Sequence, residues 1–126
     1  MTVKMPLISI VAIFVASQAN AFLAENDLIV KATGTETFEV PYRGLSGPSD
    51  FWCAAGDYVI RDLKRPVDTL IYRTSSPPRR AGTGMSFSLR ADGAKKTGLV
   101  LLSRGRGVTA SHARQLCGER RRFDMD

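Results

Sequence analysis

Two cysteines, one histidine, a scatter of carboxylates and a surplus of arginines are the side chains of this 126-residue chain that can do chemistry. Cys53 and Cys117 are the only cysteines. In an exported protein such a pair most simply forms one disulfide, with no ambiguity of connectivity. The closed loop spans 117 − 53 = 64 residue steps, for which chain entropy gives roughly 4 kcal/mol of stabilisation. The competing chemistry is a reactive thiol at Cys53, close to a helix start where thiolates are favoured. A bridged sulfur cannot act as a nucleophile, so the disulfide removes that class of catalysis.

The single histidine, His112, excludes metal sites built on paired histidines, and no metal is expected. Ser111 and His112 would project about 100° apart on a helix, which prevents them from acting as nucleophile and base. No nucleophile-elbow sequence supports a triad assembled from afar. Asp57 with Glu39, or Asp62 with Asp68, are the carboxylate pairs a glycosidase would need, but nothing in the sequence sets their separation. Gly105-Arg106-Gly107-Val108-Thr109-Ala110 fits the dinucleotide-binding glycine pattern. Only 126 − 110 = 16 residues follow it, too few for the second strand and ribose-binding acid of a βαβ unit. A glycine-assisted turn is the better reading, and no cofactor is expected.

The arginines remain. Pro77-Pro78-Arg79-Arg80 reads as a stiff, extended, positively charged loop tip suited to docking on an acidic surface. Tyr42 and Arg43 lie in a second loop and join it if both loops sit at the same end of the fold. Arg120, Arg121 and Arg122 offer a further electrostatic contact. Arginine outnumbers lysine, and its planar fork suits bidentate contacts to carboxylate or phosphate.

The chain opens in the manner of a secretory leader: Lys4, then an apolar run from Leu7 to Ala16, then the small-x-small site Ala19-Asn20-Ala21. The run is shorter than the roughly 20 residues of a membrane span, so cleavage with no remaining span is expected. Residues 1–21 are accordingly assigned to a signal peptide, 22–118 to one domain and 119–126 to a charged tail. Eighteen basic and twelve acidic residues give the full chain +6, and loss of Lys4 leaves +5. A basic exported protein meets anionic envelope polymer or an acidic partner protein; nucleic acid is not an expected partner.

Several elements must position these groups. Ser49 to Leu63 reads as the main helix, N-capped by Ser49, with Phe51, Trp52, Ala55, Val59 and Ile60 on an apolar arc. Asp57 and Arg61 form an i,i+4 pair on its polar arc. Gly56, inside the apolar face, suggests close approach of another backbone such as a sheet. Trp52 reads as core. Leu28–Ala32, Thr37–Val40, Asp68–Thr74, Met85–Arg90 and the apolar run Gly98–Ser103 read as strands, the last as a central one. Thr109 caps a short helix over Ala110–Cys117 that turns the second cysteine inward.

The expected architecture is α+β: an antiparallel sheet of four to five strands, one main helix across one face and a short C-terminal helix, following a cleaved signal peptide. The expected function is a small exported (periplasmic or secreted), disulfide-stabilised binding or accessory domain without catalytic activity. Tyr42, Arg43, Arg79 and Arg80 are its candidate partner-binding residues. A small envelope hydrolase using His112 or a carboxylate pair is one alternative; a structural subunit of an envelope assembly is another.

Overall fold

The structure, a computed structural model, describes residues 3, 5–7, 9–11, 21–44, 46–99 and 105–118. Among them the order is β1 (Ala21–Leu23), β2 (Ile29–Ala32), β3 (Thr37–Val40), α1 (Pro48–Arg61), β4 (Leu70–Arg73), β5 (Met85–Ser88), β6 (Gly107–Thr109) and α2 (Ala110–Gln115). A 3-10 turn, Leu116–Gly118, follows α2. The strands form one sheet in the order β1-β2-β3-β5-β4-β6, with every pairing antiparallel. The fold is α+β as the sequence implies, with six strands rather than four or five.

Period-two alternation decides the inner face of each strand. Phe38 and Val40 on β3 stand opposite Phe87 and Met85 on β5, and all four are buried under α1. The Phe38 and Phe87 rings stack at 5.5 Å, and Trp52 meets Phe87 edge-on at 4.9 Å. Trp52 is fully buried and donates its indole N–H to the Thr97 carbonyl at 3.0 Å, so it belongs to the core. No helix among the described residues is long and apolar enough to cross a membrane.

The main helix starts earlier than its sequence suggests. Gly47 rather than Ser49 is the N-cap, because Pro48 already carries the φ required at the first helical position. The Gly47 N–H donates to the Asp50 carboxylate at 2.8 Å. The helix ends at Arg61, not Leu63: the chain leaves through Lys64 at φ 53°, and the Arg65 N–H bonds the Val59 carbonyl. Residues Phe51 to Val59 are all buried. An amphipathic helix lying on a sheet would leave one side open, but here α2 and the segment after β1 close that side.

Gly56 marks that closure. A β-carbon there would lie 2.6 Å from the Arg114 backbone nitrogen and 2.7 Å from the Ala110 carbonyl. The close approach is therefore to α2 rather than to the sheet. Thr109 caps α2 as expected, accepting from the His112 backbone N–H at 3.2 Å. One turn further on, Cys117 is bonded to Cys53, with Cα atoms 4.8 Å apart, and the bridge staples α1 to the C-terminal segment.

One expected strand is described only at its start. Gly98 and Leu99 are not in a strand, and residues 100–103 of the Gly98–Ser103 run lie outside the described residues. The centre of the sheet is β3–β5, and β6 at Gly107–Thr109 forms one edge. The physical reason lies at Thr97-Gly98, where the chain crosses over a buried side chain instead of joining a ladder. Gly98 adopts φ 77°, and a β-carbon there would lie 2.5 Å from Arg73 Nη1. The glycine pattern is divided between a turn at Gly105 (φ 79°) and an edge strand at Gly107 packed against the Tyr72 ring. The 119–126 tail, with Arg120, Arg121 and Arg122, lies outside the described residues.

Candidate functional site: a cleft walled by two arginines

β4 ends at Arg73, and the chain then loops through residues 75–84, with a cis peptide at Pro77–Pro78, before β5 begins. Between the loop and the end of β4 lies an open cleft of about 420 Å³, walled by Arg73, Ser76, Pro78, Arg79 and Thr83 among others. A second depression of about 510 Å³ shares Arg73, Pro77, Pro78 and Arg79 and reaches Pro48 and Gly98 on the α1 side. The two hollows meet at the arginines.

Arg73 shares the inner face of β4 with Ile71, so strand alternation drives its side chain under the fold. It is only 1% exposed. Its Nη1 faces the Thr97 carbonyl at 3.4 Å and its Nη2 the Ser76 carbonyl at 3.5 Å, both at the limit of hydrogen bonding. Its Nε–H is buried without a partner among the described residues. No described carboxylate forms an ion pair with it. Burial pushes the Arg73 guanidinium below its ordinary pKa, and the positive charge of Arg79 pushes it the same way.

Arg79 is clamped rather than solvated. Its Nη1 donates to the Thr83 carbonyl at 2.6 Å and its Nη2 to the Ser46 carbonyl at 3.0 Å. The guanidinium lies over Phe51, 4.8 Å from the ring centre, and over Tyr42 at 5.6 Å. Its Nε–H is also buried without a partner. Tyr42 therefore does meet the Pro77-Pro78 loop. Arg43 is exposed and spends one Nη on the Asp27 carbonyl at 2.9 Å, in the β1–β2 turn. Arg80 is exposed, while its backbone carbonyl accepts from both N–H and hydroxyl of Thr83, which rounds off the loop.

The other candidates stand apart. His112 is exposed on α2, and its ring has no hydrogen-bond partner among the described residues. Glu39 lies between Phe38 and Val40 and so faces away from α1, whereas Asp57 lies within α1; the two carboxylates are on opposite sides of the sheet. Asp57 is not on a solvated arc either. It is completely buried and accepts from Arg61 at 2.6 and 2.5 Å and from the Glu25 N–H at 2.9 Å, with Arg114 at 3.6 Å. Burial pushes its carboxyl up, but these donors outweigh that and hold it below the ordinary carboxylate range. The Glu25 carboxylate and the two bridge sulfurs lie within 4.8 Å of one another, but bonded sulfurs offer no thiolate to a metal.

Sequence reasoning overlooked Arg73, although the signal was present: if Ile71 faces the core, so must the residue two places on. Fold and cleft together define a small disulfide-stapled α+β domain with a cationic recess at one end of its sheet. No protein-family description, curated protein or solved structure matches the chain.

Proposed function

We propose that the chain is an exported binding module without a catalytic step, which uses the basic loop 75–84 to contact an anionic component of the cell envelope. The observation that carries this reading is a fixed loop whose cations lack acidic partners among the described residues. Arg79 is held by the Ser46 and Thr83 carbonyls and by two rings, and Arg80 is left exposed beside it. A loop already ordered gives up little entropy on binding. Export is supported by the disulfide, which persists in oxidising compartments. It is supported too by the leader residues Val3, Met5, Leu7, Ile10 and Val11, each 77% exposed or more. Cleavage after Ala21 would keep the pairs Phe22–Val30 and Leu23–Ile29, and with them the contact of Phe22 with Tyr58.

The protein recovered from the envelope or the medium should begin at Phe22 on N-terminal sequencing. On an anionic matrix it should be retained at low salt and released steeply as salt rises. Arg80→Ala should weaken retention with an unchanged melting temperature. Arg79→Ala should weaken it too, while also losing about 1 kcal/mol from the stacked guanidinium. Equal retention of wild type and Arg80→Ala would remove the loop as the contact.

A further inference from the structure

We infer that Arg73 and Arg79 form a built recess for one phosphate group, inorganic or at the end of a phosphate monoester, inserted between the 75–84 loop and the end of β4. The inference rests on the proposed anion-binding role of this loop and names the chemistry that enters it.

A guanidinium carries five N–H donors in a plane. Arg73 uses two of its nitrogens at 3.4 and 3.5 Å and leaves Nε–H with no partner among the described residues, although the side chain is 99% withdrawn from solvent. Arg79 leaves its own Nε–H buried and unpaired among the described residues, and both side chains wall the same two hollows. An uncompensated buried cation is strongly destabilising, and here a second cation stands close enough to depress its proton affinity. The fold therefore holds two positive charges where elsewhere it supplies a carboxylate.

Two guanidinium groups on the wall of one cleft match a dianion better than a single carboxylate, and arginine's fork fits phosphate oxygens bidentately. Ser76 and Thr83 also line the wall, the Thr83 hydroxyl already donating to the Arg80 carbonyl. The first turn of α1, which begins at Pro48, borders the second hollow and adds partial positive charge, although Asp50 already engages the Gly47 N–H there. A hollow of about 420 Å³ falls in the size range of small-molecule sites. It has room for a phosphate together with part of the molecule that carries it.

The test is titration calorimetry and thermal shift on the purified, oxidised protein, with sodium chloride holding ionic strength constant. The probes are inorganic phosphate, glycerol 3-phosphate and acetate. Expected is saturable binding of one phosphate per chain, with a melting temperature that climbs with phosphate concentration and no response to acetate. Tighter binding of glycerol 3-phosphate assigns the site to a monoester; tighter binding of inorganic phosphate assigns it to the free ion. Arg73→Met should weaken phosphate binding by roughly tenfold or more. In phosphate-free buffer the same variant should melt no lower than wild type, because an unbalanced charge has been replaced by an apolar chain of similar length. A purely structural arginine would show the reverse. Arg79→Lys, which keeps the charge but loses the fork, should also weaken phosphate and serves if Arg73→Met does not fold. Arg90→Gln, remote and exposed, should leave affinity unchanged. Absence of saturable phosphate binding, equal binding of acetate, or full binding by both cleft variants would overturn the inference. Retention on the anionic matrix would still stand in that event, so the failure of this recess is distinguishable from failure of the loop as a contact.

Discussion

The two ends of α1 each lie against a buried charge, and the fold treats the two charges oppositely. Near the C-terminal end, Asp57 is completely buried and completely answered: two bonds from Arg61, one from the Glu25 N–H and the nearby cation of Arg114. Near the N-terminal end, Arg73 is equally withdrawn from water, yet among the described residues it has two long contacts to carbonyls, an unpaired Nε–H and another arginine as neighbour. A buried charge with all its partners present in the chain holds the chain together. One without them leaves a vacancy in the electrostatics that an anion from outside can fill. The first ties the segment after β1 and α2 onto α1; the second opens onto a cleft. The proposed binding site rests on that asymmetry rather than on counts of charged residues.

The disulfide reinforces the answered end, so its removal should have the largest effect. Cys53→Ala with Cys117→Ala should lower unfolding free energy by about 4 kcal/mol, read from denaturant melts. The loss should be accompanied by early exchange of amides in α2 and little change in β3 and β5. Asp57→Ala comes next, at about 3 kcal/mol, since it withdraws the shared acceptor of Arg61 and the Glu25 N–H. The same carboxylate sets an acid limb. Its folded pKa lies below the ordinary 3.8, so its stabilisation is present above that pH and is lost as the pH falls through the lower folded value. Melts of Asp57→Asn should accordingly decline less steeply below pH 3.8 than those of wild type. Gly56→Ala should lose about 2 kcal/mol, because the added methyl meets the α2 backbone, which cannot yield as a flexible side chain would. Any gain in stability there would show that α1 and α2 pack more loosely than their 2.6 Å approach indicates.

Much of the frame is readable from residue order. Strict alternation marks Thr37–Val40 and Met85–Ser88; Thr109 followed by Ala110 marks a capped helix; a single pair of cysteines marks a bridge. Other features are not readable, for a common reason. β1 covers Ala21–Leu23, three residues too few to show a period, and it exists because β2 offers an edge to pair with. Gly98 opens an apolar run with the composition of a strand, but takes a positive φ where the chain passes over Arg73. Asp57 lies on the polar arc of α1, and only the arrival of α2 and the Glu25 segment converts that arc into interior. Among the binding candidates, Tyr42 and Arg79 come together because Pro41 to Gly47 and the Pro77-Pro78 loop share one end of the sheet. Arg43 turns instead to the β1–β2 turn.

By itself the sequence determined that Thr37–Val40 and Met85–Ser88 extend and that the main helix coils, because alternation, helical spacing and caps are local properties of neighbouring residues. It determined the staple as well, since two sulfurs leave a single way to bond. Only the tertiary structure decided which charges are sealed from water and which of those lack a counter-charge. Burial and electrostatic balance depend on what arrives from distant parts of the chain, and no window along the sequence contains that information.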